Sequence, residues 1–174
     1  MTDITGLVMI NTGKGKGKTT AALGQALRAA GQGLRVLIIQ FIKGGMDYGE
    51  LAGIDFLPTV EIRPTGLGLI RDHADLEPHR VKARQGWDMA CREVAGGGWD
   101  MVVLDEICMA MKRGFVELDE VVQLMEGKPP ELHLVITGRY CPEALFGLAD
   151  TVTVMDEVKH HLADGVDAQP GVEF

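Results

Sequence analysis

The sequence predicts an α/β fold: a single domain over residues 1–174, with a mostly parallel sheet and helices on both of its faces. Three observations predict it. The apolar runs are near-continuous, V-L-I-I-Q-F-I at 36–42 and M-V-V-L at 101–104 being the clearest, and a strand without polar alternation is one buried on both faces. These runs alternate with segments whose apolar residues recur at helical spacing, as parallel strands joined by crossover helices require. Finally, 174 residues with no linker, internal repeat or low-complexity tract suit one core.

The elements follow in order. The first strand is predicted at 7–10. A helix over 19–30 comes next, where Ala22, Leu23, Ala26, Leu27 and Ala30 share a face and Gly31 stands ready to end it. A buried strand at 35–42 and a short one at 59–63 follow. Pro78 suits the first turn of the next helix, where its missing N–H would have no partner anyway. Ala83, Trp87, Ala90, Cys91 and Val94 share one face of that helix, and Gly96-Gly97-Gly98 stops it. After the strand at 101–104, Leu118, Val121, Val122 and Met125 mark an amphipathic helix halted by Gly127 and Pro129-Pro130. A strand at 132–136, a short helix at 142–148 and a strand at 151–155 complete the alternation. Ligands of such sheets bind beyond the carboxyl ends of the strands, so the loops after Ile10, Ile42, Leu104 and Ile136 are expected to line one site.

Composition narrows the function. A net charge of −8 argues against life on nucleic acid, which favours a basic surplus, although Lys14, Lys16 and Lys18 make a local basic patch. The three cysteines, Cys91, Cys108 and Cys141, are widely spaced and odd in number, so reduced thiols are expected rather than a disulfide framework or structural zinc. The N-terminus has no signal-peptide pattern, and no segment reaches roughly 18 consecutive apolar residues, so neither secretion nor a membrane span is expected. The expected location is the cytoplasm.

Four stretches carry chemistry. The first is G-K-G-K-G-K-T-T, residues 13–20, between a strand and a helix. Successive N–H groups of such a turn, followed by a helix N-terminus, cradle phosphate oxygens, so Gly13, Lys14, Gly15, Lys16, Gly17, Lys18, Thr19 and Thr20 form a candidate phosphate loop for ATP. Lys18 adds a point charge and the Thr19 hydroxyl suits Mg²⁺. The loop is a variant of G-x-x-x-x-G-K-[ST], because Thr12 stands where the first glycine would be. The second is M-V-V-L-D-E at 101–106, an apolar strand whose terminal Asp105 and Glu106 fall at the site edge and can hold Mg²⁺ directly or through water. The third is the glycine-containing loop 40–50 with Lys43, Asp47 and Glu50, a binding loop or an ordinary surface loop. The fourth is T-G-R at 137–139, whose Arg139 either reaches phosphate oxygens or lies on the surface. Position alone makes Arg28 a surface or interface residue, and the adjacent His160 and His161 are expected to point apart and to bind no metal.

With these residues assembled, the chain resembles the P-loop family of ATP:corrinoid adenosyltransferases, the cob(I)alamin or cob(I)yrinic acid a,c-diamide adenosyltransferases. The resemblance spans nearly the whole chain. It rests on G-K-G-K-G-K-T-T-A-A (13–22), Q-F-I-K-G (40–44) with G-E (49–50), T-G-x-G (65–68), V-V-L-D-E (102–106), I-T-G-R (136–139), L-A-D-T-V (148–152), V-K-H (158–160) and G-V-x-A-Q-x-G (165–171).

The resemblance implies a P-loop NTPase-like fold and a transferase that moves the 5′-deoxyadenosyl group of ATP onto the cobalt(I) of a corrinoid, releasing triphosphate. Cobalt(I) is then the nucleophile, which agrees with a sequence that offers no Ser-His-Asp or Cys-His set. It further implies Mg²⁺ held by Thr19 and Glu106, with Asp105 as a further candidate, a nucleotide contact for Arg28, a cobalamin, cobinamide or cobyrinic acid a,c-diamide substrate, a reductase partner and a homodimer. One stretch departs from the family. Where many members carry F-T-W after T-G-x-G, this chain has Leu69, Ile70 and Arg71, so Gly68, Leu69 and Ile70 are the expected corrinoid wall. The rival readings are a small P-loop kinase and an ATP-dependent regulatory or nucleic-acid-binding module.

Overall fold

The structure is a computed structural model that describes residues 4–45, 48–68, 70 and 75–173. Asp47, Leu69 and Arg71, singled out above, lie outside the described residues.

Six strands form one sheet: β1 (Val8–Thr12), β2 (Val36–Gln40), β3 (Val60–Pro64), β4 (Met101–Asp105), β5 (His133–Thr137) and β6 (Thr151–Val154). Their order is β3-β2-β4-β5-β1-β6, and every pairing is parallel, from Val36↔Met101 in β2–β4 to Val8↔Leu134 in β1–β5. The helices are α1 (Lys18–Gly31), α2 (Gly49–Ile54), α3 (Glu77–Ala95), α4 (Ile107–Lys112) and α5 (Leu118–Gly127). The expected helix at 142–148 is a 3-10 turn, Glu143–Leu148, and a second such turn spans His161–Asp164.

The strands are apolar on both faces because both are covered. On one face Val36, Ile38, Met101, Val103 and Val135 meet Ala22, Ala26 and Ala29 of α1, together with Ile54 of α2. Alanine keeps α1 close to the sheet at little entropic cost. On the other face Leu37, Ile39, Val102, Leu104, Leu134 and Ile136 meet Trp87, Ala90 and Val94 of α3 and Val121 and Met125 of α5. Every residue of β2 and of β4 is buried, as two-sided cover demands. The two edge strands are more open, β3 with one buried residue and β6 with none.

Some boundaries and elements differ from expectation. α1 runs through Gly31, and the chain turns instead at Gly33, whose φ of 77° is the left-handed value a helix terminus uses. β2 stops at Gln40: Phe41 N–H gives the last rung of the β2–β4 ladder, to Asp105 O, and the chain then turns away. α2 and α4, six residues each, were not expected, being too short to show a helical period.

The turns after β2 and β3 lie against each other. Thr65 N–H donates to Gln40 O, Gly66 N–H to Lys43 O and Gly68 N–H to Ile42 O, at 2.9, 3.0 and 2.9 Å. This explains why K-G and T-G-x-G occur together: a Cβ on Gly66 would sit 2.0 Å from Ile42 O. Gly66→Ala is therefore expected to destabilise the protein by at least about 1–3 kcal/mol. Gly24→Ala, at an exposed α1 position with nothing within 4 Å of the added methyl, should stabilise it by about 0.5–1 kcal/mol. Urea titration of the two variants checks the opposite signs.

Candidate functional site

The phosphate loop leaves β1 at Thr12 and enters α1 at Lys18. Two of its glycines stand at φ 104° (Gly13) and 113° (Gly17), the latter as the N-cap of α1. The loop lies on the chain leaving β6: Gly15 N–H donates to Met155 O at 2.7 Å, and a Cβ on Gly13 would meet the same oxygen at 2.3 Å. Glycine is thus required here by a backbone neighbour. Lys18 is 6 % exposed, and its ammonium donates to Gly15 O at 2.6 Å. Burial pushes its pKa down, while the nearby Glu106 carboxyl opposes that shift. It is a charge withdrawn from water and suited to an anionic ligand.

The D-E pair at the end of β4 divides in two. Sequence placed both carboxylates at the site edge, but Asp105 is 1 % exposed and lies beneath it. Its Oδ1 accepts from the Thr19 hydroxyl at 2.8 Å and the Thr137 hydroxyl at 2.7 Å, and its Oδ2 from Gln40 Nε2 at 3.1 Å. Glu106, one residue on, adopts φ 62°, a left-handed value that costs a non-glycine residue about 1–3 kcal/mol. That turn places it in the cavity wall. Burial first, and then repulsion from Asp105, push its carboxyl up from the ordinary value.

A cavity of about 410 Å³ opens above the loop, within the range of small-molecule sites. Gly15 to Thr20, Lys43, Glu50, Glu106 and Arg139 line it, so all four expected strand-end loops contribute. Lys43 pairs with Glu50. Burial, the largest single influence, would raise the Glu50 carboxyl, but the hydrogen bond and charge of Lys43, with bonds from the backbone and Gln40, together outweigh it and hold that pKa low. Gln40 bridges Glu50 and Asp105 through Nε2. Thr19 and Glu106 bring hydroxyl and carboxylate oxygen to the cavity wall, a donor chemistry that fits a hard cation such as Mg²⁺, while Asp105 holds the Thr19 hydroxyl from beneath.

A second cavity of about 420 Å³ adjoins the first and shares Lys43, Glu106 and Arg139 with it. Its other walls are largely apolar: Ile42, Tyr48, Ile70 and Met109, with Gly68 at φ 92° and Arg113. Gly68 and Ile70 thus line a cavity, while Leu69 is outside the described residues.

Other expected positions lie away from this cavity or in a different arrangement. Gly13 and Lys14 do not line the cavity, Gly13 facing Met155 and Lys14 lying exposed. Arg28 is removed from the phosphate loop: it lines a groove with Leu7, Met9 and His133 at the strand starts, ten helical residues or about 15 Å from Lys18. His160 and His161 do not point apart, their rings lying 4.5 Å centre to centre. The chain bends there, since His160 is extended (φ −137°) and a 3-10 turn begins at His161. Residues His160, Gly171, Val172 and Glu173 complete the first cavity and were not expected there. Their only sequence signal lay in the V-K-H and G-V-x-A-Q-x-G stretches, which carry no mechanism of their own.

Comparison with known proteins agrees with this geometry. A family model described as ATP:corrinoid adenosyltransferase BtuR/CobO/CobP matches residues 4–174. A corrinoid adenosyltransferase of Pseudomonas aeruginosa is 38% identical over 173 residues, covering 99% of this chain and 85% of that one. That of Escherichia coli K12 is 38% identical over 172 residues, covering 99% and 87%, and that of a Sinorhizobium species 39% identical over 176, covering 99% and 82%. Among solved structures, a KaiC-like protein of Pyrococcus horikoshii superposes with a TM-score of 0.60 over 90% of this chain and 75% of its own, at 19% identity, a likeness of fold.

The raised Glu106 carboxyl has a measurable consequence. The folded state holds this proton more tightly than the unfolded chain, so stability falls as pH rises from the ordinary value of 4.5 through the folded pKa. Ligand-free Glu106→Gln, in chelator, is expected to melt above the parent at pH 8. The gap should close toward pH 4 in parallel thermal melts.

Proposed function

Because this chain belongs to the ATP:corrinoid adenosyltransferase family, we propose that its first cavity holds ATP with Mg²⁺ and its second the corrinoid. The observation that carries this assignment is the junction itself. A charged phosphate-loop cavity and an apolar-walled one meet at Lys43, Glu106 and Arg139. A transfer between two substrates needs such a junction, with their reacting atoms in one place.

Cobalt(I) attacks C5′ of ATP, the cobalt–carbon bond forms, and the C5′–O bond breaks with its electron pair leaving on triphosphate. The chain supplies no nucleophile. Its work is to bring C5′ to the shared mouth and to receive the charge that builds on the leaving group. Lys18 and the N–H groups of the phosphate loop do the latter, and Arg139 adds a planar pair of donors on the corrinoid side. Bound Mg²⁺ would neutralise part of the triphosphate charge, with Thr19 and Glu106 as its holders and Asp105 fixing Thr19 from below. The Thr19 hydroxyl gives its proton to Asp105 and so keeps its lone pairs for a cation. The apolar second cavity disfavours water and a polar lower ligand at cobalt, which eases reduction to cobalt(I). The same proposal includes a reductase that donates that electron, and a homodimeric assembly.

The decisive experiment is incubation with ATP, Mg²⁺ and a chemically reduced corrinoid. A light-sensitive cobalt–carbon product with one triphosphate per turnover is expected, and release of ADP would overturn the assignment in favour of phosphoryl transfer. Lys18→Ala should lower kcat/KM at least about 10²-fold with an unchanged circular dichroism spectrum. Ile70→Asp should raise the corrinoid KM about tenfold or more, a loss of ~1.4 kcal/mol, while leaving the ATP Kd of the corrinoid-free protein alone. Equal loss of both substrates would detach Ile70 from the corrinoid.

A further inference from the structure

We propose that His160, His161 and Glu173 form a zinc-type metal site, separate from the cation of the triphosphate, that fastens the C-terminal segment over the phosphate loop. Each residue offers one ligand atom, and the three atoms lie within 4.8 Å of one another. Ligands at about 2.0–2.2 Å from a shared ion stand roughly 3–4 Å apart, so small side-chain rotations complete the set.

One of these atoms is unexplained otherwise. His161 Nε2 is shielded from solvent and has no hydrogen-bond partner among the described residues; Glu173 Oε1, equally shielded, faces it at 3.7 Å with only the Lys16 ammonium, at 3.5 Å, as a further neighbour. A carboxylate lone pair set against an imidazole lone pair repels it unless a proton or a cation stands between. The neighbouring His160 ring, 4.5 Å from that of His161, brings a third donor to the same place, which a single proton does not need. Two imidazoles and one carboxylate suit Zn²⁺ and not Mg²⁺, which takes oxygen ligands.

The site has a mechanical partner. Lys16 of the phosphate loop donates to Val172 O at 2.5 Å and stands 3.5 Å from the same Glu173 Oε1. A metal on Glu173 competes with that ammonium, so metal binding holds residues 160–173 in place while releasing Lys16 toward the cavity it lines. His160 Nδ1 at present accepts a long bond, 3.3 Å, from Leu162 N–H. Metal at either nitrogen ends that bond, because the ring then binds through Nδ1 or carries its proton there.

The test is calorimetric titration of the full chain with Zn²⁺, without nucleotide or corrinoid, alongside the Leu162 amide signal by NMR. One equivalent of Zn²⁺ should bind, with a shift of the Leu162 amide. His161→Ala and Glu173→Gln should each weaken binding at least about tenfold, and His161→Gln, a milder change, should do the same with the fold intact by circular dichroism. The Cys91→Ser/Cys141→Ser double variant should bind like the parent. Absence of one-equivalent binding, affinity unchanged in the His161 and Glu173 variants, or loss of binding in the cysteine variant would overturn the proposal. Since no substrate is present, none of these outcomes bears on the transfer reaction.

Discussion

One buried carboxylate ties this site together. Asp105 ends β4 in the middle of the sheet, and its two oxygens accept from Thr19 at the start of α1, Thr137 at the end of β5 and Gln40 at the end of β2. Its own carbonyl accepts from Phe41 N–H. A charge withdrawn from water is tolerable only when its lone pairs are satisfied, and here each bond comes from a different element. The same bonds that stabilise the ion therefore set the phosphate loop, the β2 exit and the T-G-R turn relative to one another. Thr137 extends the network by accepting from Glu106 N–H, which helps hold Glu106 in its strained backbone conformation beside the cavity.

The parallel sheet explains why so much chemistry converges. All six strands point the same way, so every loop at their carboxyl ends opens on one side. Backbone contacts then bring these loops close. The turn after β3 bonds to the turn after β2, and the segment after β6 lies on the phosphate loop so closely that Gly13 admits no side chain. The outcome is two cavities with three charged residues in common, one polar enough for a triphosphate and one apolar enough for a flat macrocycle. Among the described residues no helix is long and apolar enough to cross a bilayer.

Much of this was legible in the residues. The phosphate loop, the D-E strand end, the Lys43–Glu50 loop and Arg139 were each visible as a motif at a strand terminus, and the structure brings Lys18, Thr19, Lys43, Glu50, Glu106 and Arg139 to one cavity. α2 and α4 were hidden because six residues cannot display a period of 3.6. Arg28 was drawn toward the nucleotide by family likeness, but the length of α1 carries it to the other end of the sheet. The stacked histidines escaped because the rule for adjacent side chains assumes regular backbone, and His160 sits where an extended residue meets a 3-10 turn.

By itself the sequence determined the α/β class, the family and the glycine–lysine loop that borders the first cavity. Each of these is written in local terms: apolar runs too continuous for a one-sided sheet, and a glycine–lysine turn between a strand and a helix. Only the tertiary structure decided which carboxylate of the D-E pair faces the cavity, that Gly68 and Ile70 share a cavity with Met109 and Tyr48, and that the C-terminal residues 171–173 border the phosphate loop. Those relations join positions far apart in the chain. They depend on a backbone angle of 62° at Glu106 and on how loops pack across strand ends, and neither is encoded in the spacing of neighbouring residues.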